Sequence, residues 1–376
     1  MDIFFLFPTI PNPRIIKRIY VAIECGETEL FFWDRMLDER CENTIPNSAV
    51  VKSYKQLGND GQPLKRIFPT IKFAIAAYRE MRALQPKVVH VAKTDLLLLT
   101  HIYCLARRNK PYVIYEVSDM HDLMFNSSTS LKKKLLKWFL SFLEKISSKY
   151  VKKLIVTSPY FWTHYYSKFY TEEKVLFIPN FQQLGVFNNF KKKSSGKYTV
   201  GYIGIVGYYE QLKMLVDIAE KLEVHVFIAG YGIARKRLLE YVANRSHVTF
   251  YGEYNYFDEI ADLYSRVDCI FSQYNTLSDN VRIALPNRLY EAACCGLPLI
   301  VSKDTALAQE VEQNELGIAV EDGNADELTQ AISTLARQNF DYQEKGKLYI
   351  EGLQYNKTCD ALKETYIVGV EGKYDK

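Results

Sequence analysis

The stretch that decides the fold of this chain is Leu285-Pro286-Asn287-Arg288-Leu289-Tyr290-Glu291-Ala292-Ala293-Cys294-Cys295-Gly296-Leu297-Pro298-Leu299-Ile300. Pro286 suits the first turn of a helix, and Gly296 suits the left-handed end of one. A buried strand is predicted to follow. Arg288 and Glu291 stand three positions apart, so both lie on one face of the helix near its positive end.

The Glu291 carboxylate and the Arg288 guanidinium together suit a nucleotide as ligand. Glu291 can accept hydrogen bonds from ribose hydroxyls, and Arg288 can hold a diphosphate together with the amide groups of the helix N-terminus. The alternative is a simple ion pair between the two side chains on a solvated helix, and spacing by itself favours that alternative.

Both halves of the chain alternate short apolar runs with segments of helical periodicity, which is typical of parallel sheets covered by helices. In the first half, strands are predicted at 3–7, 30–33, 87–91, 110–117 and 154–157, and helices at 14–24, 67–84 and 96–107. In the second half, strands are predicted at 199–206, 225–229, 247–251, 269–271 and 299–301, and helices at 210–222, 234–244, 257–266, 287–295 and 326–337.

A polar segment at 188–197, which contains Ser, Gly and Lys, is typical of a linker. The predicted fold class is therefore α/β, with two Rossmann-like domains at 1–190 and 198–353. We expect their parallel sheets to face each other across a cleft, since such sheets bind ligands at the carboxyl ends of their strands.

Composition narrows the class of protein. The 376 residues are 48% hydrophobic and 24% charged, which excludes a disordered or fibrous chain. The seven cysteines form no C-x-x-C pair, so we interpret them as thiols of a reducing compartment. The apolar start ends at Pro8 without a basic region before it, and no stretch reaches the roughly 18 apolar residues of a spanning helix. These features predict a cytoplasmic protein and leave peripheral membrane contact open.

The segment at 285–300 resembles the nucleotide-binding signature of the family-4 retaining glycosyltransferases (glycosyltransferase group 1) of the GT-B fold. That signature is Pro-Asn-Lys/Arg-x-x-Glu followed by Gly-x-Pro. Earlier segments resemble the family's opening strand and glycine turn (202–208), its Ala-Gly-x-Gly strand (225–232) and its Val-x-Phe-x-Gly block (248–252). Four blocks in the same order over roughly 140 residues form a specific pattern.

The resemblance implies that the second domain binds a nucleotide-diphosphate sugar. Glu291 takes the ribose-binding role, Arg288 lies near the phosphates, and several glycines admit the diphosphate and the nucleobase. The implied donor-binding residues are Gly204, Gly207, Gly230, Gly232, Gly252, Arg282, Asn287, Arg288 and Glu291.

Three positions depart from the family pattern. Ile283 stands where members often carry a second glutamate, and Ile205 and Gln211 stand where many carry Arg and Lys. Charge on the leaving diphosphate is then expected to be neutralised by Arg288, Arg282 or Lys213. Altered donor binding and loss of activity are both compatible with these departures.

In the first domain, the resemblance is mostly positional. Arg14 and Lys17 follow the first strand and are candidates for holding acceptor or phosphate, the alternative being a helix face with two solvated cations. Ser118 occupies the slot of a family histidine, and the nearby Asp119 and His121 are the catalytic candidates for orienting the acceptor hydroxyl. Capping of a helix by Ser118 or Asp119 is the alternative.

Residues 130–153 carry eight Lys and one Glu, and their apolar residues recur along one face of a helix. This pattern favours a helix on an anionic membrane surface, with Lys132, Lys133, Lys134, Lys137 and Trp138 as the membrane patch. Packing of the apolar face against the domain core is the alternative. No reading helix, zinc finger or aromatic sheet motif accompanies the charge, so nucleic acid is not an expected partner.

The resemblance implies a retaining glycosyltransferase that moves a sugar from a UDP or GDP sugar to an acceptor hydroxyl, with a lipid-linked saccharide or surface-polysaccharide precursor as acceptor. The chain lacks an Asp-x-Asp signature, so no cofactor and no catalytic metal are expected. Residues 354–376 are expected to return to the first domain as a helix.

A nucleotide-sugar 2-epimerase and a non-catalytic nucleotide-binding subunit remain alternatives. A dehydrogenase is disfavoured because the first strand lacks a G-x-G-x-x-G turn.

Overall fold

A computed structural model of the chain describes residues 1–35, 45–58, 63–119, 131–180, 185–193, 196–337 and 340–373. The chain divides into two compact units. Unit 1 comprises Met1–Ile178 with Asn356–Lys376, and unit 2 comprises Pro179–Tyr355.

Unit 1 contains a seven-stranded parallel sheet with the strand order β3-β2-β1-β4-β5-β6-β7. Its strands are β1 (Ile3–Phe7), β2 (Thr28–Asp34), β3 (Val50–Lys55), β4 (Val88–Ala92), β5 (Tyr112–Val117), β6 (Val151–Val156) and β7 (Val175–Phe177). The helices between them are α1 (Pro13–Ile23), α2 (Pro63–Leu84), α3 (Thr94–Leu105), α4 (Leu131–Ser147) and α5 (Pro159–His164). Every residue of β1 is buried, because helices cover both faces of a parallel sheet.

Unit 2 contains a six-stranded parallel sheet with the strand order β10-β9-β8-β11-β12-β13. Its strands are β8 (Thr199–Ile203), β9 (His225–Ala229), β10 (Val248–Gly252), β11 (Cys269–Ser272), β12 (Leu299–Ser302) and β13 (Gly317–Val320). Its helices are α6 (Tyr209–Lys221), α7 (Arg235–Val242), α8 (Tyr256–Ser265), α9 (Asp279–Ile283), α10 (Asn287–Cys295), α11 (Ala306–Gln313), α12 (Ala325–Arg337) and α13 (Tyr342–Gly352). The predicted α/β class with two Rossmann-like parallel sheets is confirmed.

Three strands were not predicted from the sequence. The edge strand β3 has only half-exposed and exposed positions, so it lacks the apolar run of a buried strand. β7 is apolar but only three residues long. β13 begins at Gly317, and glycine is a poor strand former. Pairing with a neighbouring strand, not local pattern, decides these elements.

The predicted linker at 188–197 lies inside unit 2. The Lys193 amide donates a hydrogen bond to the Ser265 carbonyl oxygen at 2.8 Å, and the Lys192 and Lys193 ammonium groups pair with Asp268 and Asp262. These bonds attach the polar segment to the second sheet and its helices, and unit 2 accordingly starts earlier, at Pro179.

The last helix, α14 (Tyr355–Glu371), packs into unit 1. Leu362 and Tyr366 are fully buried in the same apolar core as Ile3 and Val88. The C-terminal segment therefore completes the core of the first unit.

In each sheet the strand order reverses at one place, between β1 and β4 in unit 1 and between β8 and β11 in unit 2. Loops leaving the carboxyl ends of two such strands turn in opposite directions, and the crevice between them is where open α/β sheets bind ligands.

Candidate functional site

Arg288, the second residue of α10, lies at the switch point of unit 2 and is only 6% exposed. Its Nε donates a hydrogen bond to the carbonyl oxygen of Ile203 at 2.6 Å, and its Nη1 donates to the Tyr274 hydroxyl at 3.3 Å. The guanidinium carbon lies 3.9 Å from the ring centroid of Tyr202. An aromatic face and two acceptors therefore fix this cation at the ends of β8 and β11.

Two glycines let the neighbouring backbone segments converge on Arg288. A Cβ at Gly204 would lie 2.9 Å from Arg288 Nη2. Gly230 has a φ of 138°, and a Cβ there would lie 1.8 Å from the Gly204 carbonyl oxygen. The Gly230 amide in turn donates to the Gly252 carbonyl oxygen at 2.7 Å. The ends of β8, β9 and β10 thus meet through backbone alone, which requires glycine.

The two other predicted glycines differ from each other. Gly232 has a φ of 154°, and a Cβ there would lie 2.3 Å from the Val206 carbonyl oxygen. Gly207 has no heavy atom within 4 Å of the position that a Cβ would take, so it faces open space at the start of α6.

Glu291 lies one turn after Arg288 and is 3% exposed. Its Oε1 accepts a hydrogen bond from the Tyr256 hydroxyl and its Oε2 one from the Tyr264 hydroxyl, each at 2.7 Å. Burial and the nearby Glu291 charge raise the pKa of both tyrosines, so their hydroxyls stay protonated and donate. A carboxylate has about four acceptor sites, so it can receive further donors beside the two tyrosines.

The alternative of an ion pair on a solvated helix face is wrong. Arg288 and Glu291 are both buried, and they have different partners, the end of β8 for one and the tyrosines of α8 for the other. The helix face that carries them is turned into unit 2.

The two remaining predicted donor residues lie on α10 and on the preceding helix α9. Asn287 is the first residue of α10 and is half-buried. Arg282 on α9 is exposed, and its Nε donates to the carbonyl oxygen of Thr276 at 3.0 Å. Its guanidinium is therefore held at a surface loop.

Two positions of α6 have partners that the sequence does not reveal. Lys213 forms an ion pair with Asp217 of the same helix at 2.8 Å, and its ammonium group lies 5.0 Å from the ring centroid of Tyr241. Gln211 donates a hydrogen bond to Asp322 Oδ1 at 2.9 Å. Gln211, at the position where the family often has Lys, thus contacts a carboxylate.

The tyrosines that hold the two charges were not predicted from the sequence; they are Tyr202, Tyr256, Tyr264 and Tyr274. They come from three places in unit 2, namely β8, α8 and the loop after β11, and no motif along the chain connects these places. The available signal was composition, since the chain contains 28 tyrosines.

Unit 1 contains a cavity of about 600 Å³ at the carboxyl ends of β1, β4 and β5. Segments 8–9, 92–95 and 115–119 line it, and Arg35, Arg66, Leu140 and Tyr166 complete its wall. It lies at the switch point of this sheet, where a ligand is expected. Cationic, acidic and tyrosine side chains share the lining, which suits a ligand rich in hydroxyl groups.

Behind the cavity wall lies a buried charged network around Glu116. Its carboxylate is 3.1 Å from Arg14 Nε, 3.4 Å from Arg18 Nε and 3.0 Å from His90 Nε2. Burial opposes ionisation of Glu116, but Arg18, His90 and Arg14 together hold its pKa far below the ordinary range. Burial lowers the pKa of His90, so the neutral ring donates to Glu116 and accepts from the Tyr366 hydroxyl at 2.8 Å.

The residues of the first domain that were predicted to bind acceptor or phosphate differ in exposure. Arg14 and Lys17 are largely buried, so the alternative of two solvated cations is wrong. Asp119 is exposed at the cavity, with its Oδ2 accepting from the Ser118 hydroxyl at 3.2 Å. His121 lies outside the described residues.

The basic segment forms α4, whose apolar side chains are largely exposed. Leu135 is 67%, Trp138 63% and Phe139 48% exposed, whereas Glu144 is fully buried. The alternative in which this apolar face packs into the domain core is therefore wrong for these residues. Lys134 is exposed and Lys137 half-exposed. The side chains of Lys132 and Lys133 lie outside the described part of the chain.

In the described part of the chain, no helix is both long and apolar enough to cross a membrane.

Known proteins resemble this chain in sequence and in structure. A family model described as glycosyl transferases group 1 matches residues 197–338. The succinoglycan biosynthesis protein ExoL of Rhizobium meliloti (strain 1021) is 25% identical over 282 residues, which cover 69% of this chain and 68% of ExoL.

Two solved structures illustrate the similarity in fold. Anabaena HepE in complex with UDP-glucose has a TM-score of 0.71 at 14% identity, with coverage of 97% of this chain and 99% of HepE. Sucrose-phosphate synthase from Thermosynechococcus elongatus has a TM-score of 0.68 at 14% identity, with coverage of 97% of this chain and 98% of the synthase.

Proposed function

Because this chain is a group 1 glycosyltransferase with the GT-B fold, we propose that it transfers a sugar from a nucleoside-diphosphate sugar to a hydroxyl of an acceptor. The transfer retains the configuration of the sugar. In this proposal, unit 2 binds the donor and unit 1 binds the acceptor. The observation that carries the proposal is the pair of buried charges on α10, with Glu291 held by two tyrosines and Arg288 held beneath the glycine turn after β8.

The donor contacts follow from this arrangement. Glu291 accepts hydrogen bonds from the ribose hydroxyls, and the amides at the start of α10 and in the turn at 204–207 bind the diphosphate. HepE was solved with UDP-glucose, so a uridine donor is the first choice for this chain.

Catalysis then depends on the leaving diphosphate. As the bond to the sugar breaks, negative charge grows on the departing oxygen, and the fixed Arg288 cation and the backbone amides stabilise it. In front-face retention, that oxygen accepts the proton of the attacking acceptor hydroxyl. Protein groups thereby supply positioning and charge stabilisation, and the proposal includes no catalytic metal.

The acceptor occupies the cavity of unit 1. Its mixed lining of tyrosines, carboxylates and cations suits saccharide hydroxyls, and Asp119 at its edge orients the attacking hydroxyl. ExoL is named as a protein of succinoglycan biosynthesis, which favours a polysaccharide precursor as acceptor.

A lipid-linked form of that precursor explains the surface of unit 1. Besides the exposed apolar face of α4, the helix α2 exposes Ile67, Phe68, Ile71 and Ile75, of which Phe68 is 75% exposed. Apolar side chains beside lysines bind an anionic membrane, each lysine near the surface adding about 1 kcal/mol. The proposal therefore places the protein on the cytoplasmic face of the membrane, where its donor is made.

The test is a comparison of nucleotides and of products. Thermal shift with UDP, GDP and ADP is expected to show a preferential rise of the melting temperature with UDP, because a ligand stabilises the state that binds it. Incubation with UDP-[14C]glucose and a chloroform–methanol extract of membranes from the producing organism is expected to give radiolabelled lipid.

Two other outcomes would replace the proposal. Conversion of the donor sugar without any acceptor would indicate an epimerase. Stabilisation by UDP without label transfer from any UDP sugar would indicate a non-catalytic subunit, as the departures at Ile205 and Gln211 allow.

A further inference from the structure

Glu144 is a fully buried carboxyl group on a helix whose opposite face is exposed. Its Oε2 accepts a hydrogen bond from the Thr94 hydroxyl at 2.7 Å. Among the residues that the structure describes, none forms an ion pair with Glu144. A buried acid without a counter-cation is costly to ionise, which marks it as more than a packing residue.

The groups that face Glu144 are neutral. Thr94 comes from α3, Tyr115 from β5, and Tyr166 and Tyr170 from the segment after α5; burial raises the pKa of all three tyrosines well above the ordinary value. On α4 itself, Ser141 bonds the Tyr165 hydroxyl at 3.3 Å.

The charged groups nearby point elsewhere. Lys93 and Asp95, which flank Thr94, are exposed at the cavity, and Lys145 is exposed on α4. His101, two turns along α3, packs its ring against Tyr150 with centroids 5.0 Å apart.

Thr94 connects the buried acid to the cavity of unit 1. It lines that cavity together with Tyr115 and Tyr166, and its oxygen is 3.4 Å from the Tyr115 hydroxyl oxygen. Lys93, just before it, has a φ of 72° and a ψ of 144°, a conformation that costs a non-glycine residue on the order of a kilocalorie per mole or more and that clusters at functional sites. This backbone places the first residue of α3 at the cavity surface.

We propose that Glu144 is a positioning residue of the acceptor site that acts through Thr94. A hydroxyl has one proton and two acceptor lone pairs. When ionised Glu144 binds the Thr94 proton, the Thr94 oxygen can only accept, so it orients an acceptor hydroxyl that donates to it. The inference rests on the proposed function, which puts the acceptor in this cavity.

Protonation of Glu144 reverses this polarity. Burial raises its pKa to about 7, although the hydrogen bonds from Thr94 and Tyr115 lower it. Below that pH the carboxyl can donate its own proton to Thr94, whose hydroxyl then donates into the cavity. We therefore expect the KM for the acceptor to rise as the pH falls through about 7, while the KM for UDP-glucose stays constant.

The experiment measures both KM values with UDP-[14C]glucose and the membrane lipid extract from about pH 5.5 to 8.5. Glu144→Gln keeps an acceptor oxygen for Thr94 but cannot titrate, so its acceptor KM should show no inflection near pH 7. Glu310→Gln is the control, because Glu310 is a half-buried carboxylate with a raised pKa that is bonded to a tyrosine, Tyr349 at 3.1 Å, but lies in unit 2.

A second pair of variants tests the role of the hydroxyl. Thr94→Val should raise the acceptor KM about tenfold without changing the KM for UDP-glucose, whereas Thr94→Ser should restore the wild-type value. A merely structural role of the bond would instead change the melting temperature and both KM values together.

A measurement without activity checks the titration itself. The raised folded pKa means that Glu144 contributes stability that is complete below its unfolded pKa and is lost as the pH rises through about 7. The melting temperature of the wild type should therefore fall relative to Glu144→Gln between about pH 5 and 8.

The outcomes separate the two claims. Transfer by the wild type with an acceptor KM that Thr94→Val leaves unchanged, or an inflection that survives in Glu144→Gln, overturns this inference alone. Absence of transfer by the wild type at every pH overturns the proposed function and, with it, the role of Thr94.

Discussion

The Nε atom of Arg288 donates a hydrogen bond to the carbonyl oxygen of Ile203 at 2.6 Å. Ile203 is the last residue of β8, and Arg288 is the second residue of the helix that leads into β12, so this bond ties the two halves of the unit 2 sheet together at the switch point. It also fixes a positive charge under the glycine turn where the diphosphate is proposed to bind.

Arg288→Lys tests this fixed charge. Lysine keeps the charge but lacks the planar fork that bonds Ile203 and Tyr274 at once and stacks on Tyr202. UDP affinity measured by titration calorimetry is expected to fall about tenfold, equivalent to about 1.4 kcal/mol. Arg245→Lys, at a partly exposed arginine on the surface of unit 2, is the control and should leave UDP binding unchanged.

Glu291→Gln tests the proposed contact between Glu291 and the ribose of the donor. The amide keeps the shape of the carboxylate but offers one oxygen acceptor in place of two, so it satisfies only one of Tyr256 and Tyr264 and loses the charge-assisted bonds to ribose. We expect UDP to bind at least tenfold more weakly and sugar transfer to fall in parallel. Wild-type affinity and rate in this variant would show that α10 is not the donor site.

Gly230→Ala and Gly207→Ala form a matched pair at the glycine loops. A Cβ at Gly230 would clash with the Gly204 carbonyl oxygen, whereas one at Gly207 meets no heavy atom within 4 Å. The Gly230 variant is expected to lose about 1–3 kcal/mol of unfolding free energy in urea titration, and the Gly207 variant less than about 0.5 kcal/mol. Equal stability of the two variants would contradict the close approach of these loops.

The proposed membrane-binding surface of unit 1 is tested with vesicles. Trp138→Glu together with Phe139→Glu replaces two exposed apolar side chains by charges and should abolish co-sedimentation with phosphatidylglycerol vesicles. Replacing Lys132, Lys133 and Lys134 by Glu should weaken binding to the vesicles, and added salt should weaken the binding of the wild type in the same way. Leu348→Glu, at a 56% exposed leucine of unit 2, should have no effect, and unchanged binding of the α4 variants would refute the patch.

The Glu116 network predicts acid sensitivity of unit 1. Its folded pKa is lowered, so it contributes stability that is present above the unfolded pKa of about 4.5 and is lost as the pH falls towards the folded value. Glu116→Gln leaves Arg14 and Arg18 buried without their counter-charge and should cost about 3–5 kcal/mol at pH 7. The difference from the wild type should shrink as the pH falls below about 4, which denaturant titrations at several pH values can measure.

Features of the site that depend on a few consecutive residues could be predicted from the sequence, and features that depend on distant residues could not. Gly204, Gly230, Arg288 and Glu291 were identified from short motifs, because a strand, a glycine turn and a helix start are each written in a few consecutive residues. That Arg288 and Glu291 have separate partners, however, depends on tyrosines from other elements.

In unit 1, too, local features were predicted and contacts between distant residues were not. Strands β1, β4 and β5 were predicted from their apolar runs. The Glu116–His90–Tyr366 network was not, since its members come from β5, β4 and α14 and no spacing links them. The amphipathic pattern of α4 was readable, but the direction of its apolar face was not.

By itself, the sequence determined the alternation of strands and helices, the two parallel sheets and the motif of the proposed donor site, because hydrophobic periodicity and turn chemistry act over a few residues. Only the tertiary structure decided which tyrosines hold Glu291, which carboxyl stands behind Thr94 and which face of α4 is exposed. Those relationships join residues far apart in the chain, and their energies arise from burial and hydrogen bonds that exist only once the sheets are packed.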